Sequence, residues 1–132
     1  MVKSIIFKKI KFNNIRHKEF NKYIIKKGLF VFPAGPALAT IESSTNYLKS
    51  MQKANFVFFD SGFFVLLIKI FKSIDVTKFS WYKFLVLFFE YLKKNKKKKI
   101  FFIDPNTKFL KSNKTYIKKI GIKKIYNYLA PN

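Results

Sequence analysis

Three runs of four apolar residues, Leu29–Phe32, Phe56–Phe59 and Ile100–Ile103, limit what this chain can become. Each is too short for a buried helix and lacks polar alternation, which is the pattern of a strand covered on both faces. The middle run stops at Asp60-Ser61-Gly62, and a helix-like apolar run starts at Phe63. Strand, tight polar turn and helix together are the plan of an open α/β fold, whose ligands sit outside the carboxyl ends of the strands. Asp60 then stands at a strand tip, with Ser61 and Gly62 leading into the positive N-terminus of the next helix. An aspartate there can take a proton from a hydroxyl held in the crevice. Asp-Ser-Gly is also ordinary turn and N-cap chemistry. Both readings stand on these residues.

The rest of the chain supplies the helices. Lys3–Phe12 alternates Ile and Phe with Lys, as an edge strand does. His17–Lys27 carries apolar residues at helical spacing, and Gly28 closes it as a C-cap. Leu29–Phe32 runs into Pro33–Thr40, a loop of small residues that lets backbone approach a ligand closely. Ser43 and Ser44 can cap a helix over Thr45–Ala54. Phe63–Lys72 is apolar nearly all round, which predicts a buried helix. Asp75–Ser80 connects it to a helix over Trp81–Lys94, with Phe84, Leu85, Phe88 and Leu92 inward. Lys96–Lys99 reads as a solvated linker, and the strand Ile100–Ile103 ends, like the middle one, in an aspartate, Asp104. A helix over Leu110–Ile120 stops at Gly121, and Ile122–Leu129 gives a last strand. Strands alternating with helices predict a three-layer α/β domain, with a mainly parallel sheet and helices on both faces. The strands at 29–32, 56–59 and 100–103 are expected to be adjacent and central. Residues 1–27 form a basic strand/helix segment before an α/β domain over 28–132.

Composition removes several chemistries. There is no cysteine, so disulfides and thiolate metal sites are excluded. His17 is the single histidine, so there is no His cluster for zinc, and its place in a Lys-rich stretch reads as a solvated surface residue, which argues against a Ser-His dyad. The four glycines are not spaced as G-x-G-x-x-G, which argues against a classical NAD or ATP site. The formal net charge of +22 points to an acidic partner: nucleic acid, an anionic membrane surface or a phosphorylated substrate. Arg16 is the only arginine among the 28 basic residues. Sequence-specific nucleic-acid readers favour the arginine fork, so no specific nucleic acid is expected. Lys, Phe, Ile, Asn and Tyr share AT-rich codons, which is a second source of the lysine bias. No signal peptide is evident. Phe63–Phe71 and Phe84–Tyr91 fall short of the ~20 apolar residues of a spanning helix.

In combination, these segments resemble the first half of the WecG/TagA/CpsF family of glycosyltransferases. The matching pieces are Leu29-Phe-Val-Phe-Pro-Ala-Gly-Pro-Ala-Leu-Ala-Thr40 and Asn55-Phe-Val-Phe-Phe-Asp-Ser-Gly62. Val76-Thr-Lys-Phe-Ser-Trp-Tyr-Lys-Phe-Leu85 and Lys99-Ile-Phe-Phe-Ile-Asp-Pro-Asn106 follow in the same order. The resemblance spans roughly residues 28–131. It implies a bacterial, inverting transferase that needs no cofactor and no essential metal. Such an enzyme moves an N-acetylhexosamine-type sugar from a UDP-sugar donor to a lipid-pyrophosphate-linked acceptor in cell-surface polysaccharide synthesis. Asp60 would be the general base, and Pro33, Gly35, Thr40, Ser61, Gly62, Ser80, Asp104 and Asn106 would bind substrate. A cytoplasmic location, with peripheral contact at the inner face of the membrane, would follow.

The departures from the family pattern are specific. Ser61 intervenes in an Asp-Gly pair, and Ala and Pro replace polar residues of the first loop. Trp81 stands for a glycine and Lys83 for an acid. The family's second half is not represented, so the fold is expected to be incomplete at its C-terminus and to self-associate through exposed apolar surface. The alternative from another class is a small basic protein, binding nucleic acid or the ribosome through charge, without catalysis.

Overall fold

The computed structural model describes residues 2–130 and forms two compact units, dividing between Leu85 and Val86. It is a mixed α/β protein in which parallel strand pairs predominate.

The first unit is built on a four-stranded sheet in the order β1-β2-β4-β3. Strands β1 (Ser4–Phe7) and β2 (Ile10–Asn13) form an antiparallel hairpin, where one edge strand was expected. The turn between them is Lys8-Lys9, both left-handed at φ 48° and 62°. Two-residue hairpin turns need that backbone, but they normally announce themselves with Asn or Gly. Here tertiary contacts hold it: Gln52 Nε2 donates to the Lys8 carbonyl at 2.9 Å, and the Lys8 ammonium pairs with Glu42. A 3₁₀ turn at His17–Glu19 and the single-turn helix α1 (Asn21–Ile24) replace the longer helix expected over 17–27.

Strand β3 (Phe30–Val31) and β4 (Phe56–Phe58) pair in parallel, as do β2 and β4. Between β3 and β4 lie α2 (Gly35–Ala39) and α3 (Thr45–Lys53). The small-residue segment is therefore half helix, started by Pro36 in its first turn, where the missing N–H costs nothing.

Register divides this sheet into two chemically different faces. Ile5, Ile10, Phe12 and Val57 face one way and pack with Leu38, Ile41 and Met51, and with Phe64, Val65 and Ile68 of α4 (Gly62–Lys72). Phe30, Phe56 and Phe58 face the other way into a cluster of rings with Tyr23 and Phe84; Phe32, Phe20, Phe79 and Trp81 extend it. Centroid separations there run from 4.7 Å for Phe30–Phe56 upward, the range of favourable offset and edge contacts.

Helix α4 corrects the expectation of burial. Phe63, Leu66, Ile70 and Phe71 are all exposed, Phe71 at 80%. An all-apolar helix needs neighbours on every side, and here only the Phe64–Val65–Ile68 stripe has them.

Helix α5 (Trp81–Lys94) has the predicted bounds and carries the chain from the first unit into the second. The second unit pairs β5 (Ile100–Asp104) with β6 (Ile125–Leu129) in parallel, joined through α6 (Thr107–Lys119). Its core is Leu92, Ile100, Ile117 and Ile122. The expected adjacency of the 100–103 strand to the other two is wrong, because β5 and β6 make a separate two-stranded sheet. Hydrophobicity marks a segment as a strand without naming its partner, and β5 is covered on one face only, with Phe101 and Ile103 exposed where burial on both faces was expected.

Candidate active site

The carboxyl end of β4 gathers most of the residues singled out above. Asp60 is half-buried, and its Oδ1 accepts the main-chain N–H of Trp81 at 3.2 Å. Ser80 Oγ accepts the Lys83 N–H at 3.3 Å, so both side chains serve the first turn of α5. Ser61 is the N-cap of α4, accepting the Phe64 N–H at 3.2 Å. Gly35 lies against it: a Cβ on Gly35 would sit 3.0 Å from Ser61 Oγ, tighter than ordinary contact. Pro33, just upstream, is buried.

Thr40 has a local partner. It follows the last residue of α2, five positions beyond Gly35, and its hydroxyl donates to the Pro36 carbonyl at 3.1 Å. Asp104 and Asn106 belong to the second unit and have structural partners there. Asp104 is 2% exposed, with Oδ1 accepting from Asn113 Nδ2 at 2.6 Å and Oδ2 from Asn127 Nδ2 at 3.2 Å. It is a buried, doubly bonded carboxylate, where a substrate-binding group was expected. Asn106 caps α6 through the Phe109 N–H at 3.1 Å.

Two contributors, Lys78 and Asn14, were not among the residues expected at the site. The Lys78 ammonium comes within 3.8 Å of where a Cβ on Gly62 would lie, so a cation stands at the N-terminus of α4. Asn14, 3% exposed, fixes the segment that delivers it. Its Nδ2 donates to the carbonyls of Val2 and Asp75 at 2.9 and 3.0 Å, and its Oδ1 accepts the Thr77 N–H at 2.9 Å. The Phe79 N–H then bonds the Phe59 carbonyl at 2.8 Å, holding this segment at the end of β4. The sequence clue to Asn14 was a polar pair, Asn13-Asn14, inside an apolar stretch.

Beside Ser61 an apolar cavity of about 350 Å³ is lined by Gly35, Leu38, Phe63, Leu67 and Phe71, with Lys72. Among the described residues, no three His, Cys, Asp or Glu side chains are grouped so as to hold a metal ion. Nor, among them, is any helix long and apolar enough to cross a membrane. No protein-family model and no curated protein matches this chain.

Proposed function

We propose that this chain is a glycosyltransferase, or part of one, moving an N-acetylhexosamine-type sugar from a UDP-sugar to a lipid-pyrophosphate-linked acceptor, with Asp60 as general base. What supports it is the carboxyl end of β4, where Asp60, a capped helix N-terminus and the Lys78 ammonium meet at the position where open α/β sheets hold ligands. The finer fold reading goes with it: a Rossmann-like three-layer domain, supported by the two covered faces of the first sheet. Peripheral contact at the inner face of the cytoplasmic membrane also belongs to this proposal, as does self-association.

The chemistry assigns one task to each group. One carboxylate oxygen of Asp60 is held by the Trp81 N–H, and the other takes the proton of the acceptor hydroxyl. The hydroxyl oxygen attacks the anomeric carbon as the bond to the UDP oxygen breaks on the opposite face, inverting the centre. The electron pair leaves on the diphosphate, whose charge the α4 N-terminus and Lys78 stabilise.

The test is UDP release and sugar transfer from UDP-N-acetylhexosamines in the presence of a prenyl-pyrophosphate-linked sugar. Asp60→Asn keeps an oxygen for the Trp81 N–H and removes the basicity. Transfer is expected to fall by about 10²–10⁴-fold while donor binding persists. A chain that binds no UDP-sugar, or an Asp60→Asn variant as active as the original, overturns the proposal.

A further inference from the structure

The sheet of the second unit has one covered face and one open face. Ile100 and Phe102 turn into the core with Leu92, Ile117 and Ile125. Phe101 and Ile103 turn the other way and are 63% and 67% exposed. Parallel register sets Phe101 beside Tyr126 and Ile103 beside Tyr128, and these tyrosines are 51% and 54% exposed. Three aromatic rings and an isoleucine thus share one flat outer surface.

The surroundings of that surface are cationic. Lys99 precedes β5, while Lys123 and Lys124 lead into β6, all three exposed. From Val86 onward the acids are Glu90, which is paired with Lys93, and Asp104, which is buried. The lysines beside the platform therefore have no acid of this unit left to neutralise them.

Charge and geometry together select the partner. A second copy would bring its own net charge of +22 to this lysine-flanked face, which disfavours pairing of copies through it. A bilayer interior would strip water from both outer strand edges, because each strand of a two-stranded sheet is paired on one side only. A polyanion with flat apolar faces meets both demands: aromatic rings take bases by stacking, and ammonium groups take the phosphates. We propose that this face binds single-stranded nucleic acid, with bases stacked on Phe101, Tyr126 and Tyr128 and phosphates on Lys99, Lys123 and Lys124. Stacking reads no sequence, and lysine offers no bidentate fork, so binding is tolerant of sequence. This inference is independent of sugar transfer at Asp60.

Fluorescence anisotropy with labelled oligo(dT), oligo(rU) and a duplex of equal length tests it. Both single strands are expected to bind more tightly than the duplex. Tyr126→Ala and Tyr128→Ala should each weaken that binding roughly tenfold or more, while Tyr126→Phe, which keeps the ring face, should retain it. Photocrosslinking of a bromouracil oligonucleotide to the unsubstituted chain should fall on the β5 and β6 peptides. If an alanine variant loses its circular-dichroism signature, this crosslink decides. Equal affinity for duplex and single strands, alanine variants that bind as the original does, or crosslinks confined to other lysine-rich segments would each overturn the proposal. So would oligomers or anionic-vesicle binding that the tyrosine substitutions abolish while oligonucleotide binding is untouched.

Discussion

Asp60 and Asp104 both follow runs of four apolar residues, yet their surroundings separate them. Asp104 accepts two amide donors out of water, so Asp104→Ala strands the Asn113 and Asn127 side chains. Hydrogen bonds to a charged acceptor contribute about 1.5–3 kcal/mol each, less any water that fills the gap. A loss near 3 kcal/mol is expected in urea unfolding, with no effect on sugar transfer. Asn14→Ala should cost about 1–3 kcal/mol for the same reason and, unlike Asp104→Ala, should also weaken UDP-sugar binding, because Asn14 holds the Thr77–Lys78 segment. The exposed Glu90 is a different case. Its pKa is lowered by a hydrogen bond from Lys93, then by that ammonium's charge. A depressed folded pKa stabilises above the unfolded value, and that contribution is lost as pH falls through the folded one. Following the Glu90 carboxyl by NMR, Lys93→Ala should return its midpoint toward the ordinary glutamate range, and high salt should shrink the difference.

Among the elements, α5 was legible to the residue, because apolar positions at helical spacing and a lysine-rich end are local signals. Asp60 at the tip of β4 was legible for the same reason. Its bond to Trp81 was not, since it joins residues 21 positions apart that no local pattern links. The hairpin turn was hidden because Lys8-Lys9 adopts a backbone that lysine disfavours, stabilised by Gln52 and Glu42 from far along the chain. Replacing Lys9 with glycine removes that penalty, so thermal unfolding should move to higher temperature by the equivalent of about 1 kcal/mol. In α4, hydropathy gave the helix but not its neighbours. Ile68→Ala, on the packed stripe, should cost roughly 2–5 kcal/mol. Leu66→Ser and Phe71→Ser, on the exposed side, should stay within about 0.5 kcal/mol in the same unfolding assay.

For the whole molecule, a mixed α/β chain with mainly parallel pairing was readable, and which strands pair was not. Alternating runs announced an α/β chain, but the choice between one sheet and two depends on pairing, which the runs do not encode. Charge acts at this scale as well. A net +22 repels itself, and the three ion pairs among the described residues lie at or near the surface, each worth no more than about 1 kcal/mol. The melting temperature should therefore rise as sodium chloride is added from low ionic strength, the reverse of a fold held by salt bridges. The most direct test of a sugar-nucleotide site at the end of β4 is a titration of the isotope-labelled chain with a UDP-N-acetylhexosamine, followed through its amide resonances. Gly35, Ser61, Gly62 and Lys78 should shift together and saturate at one donor per chain. Shifts scattered over exposed lysines, with those four unmoved, would contradict it.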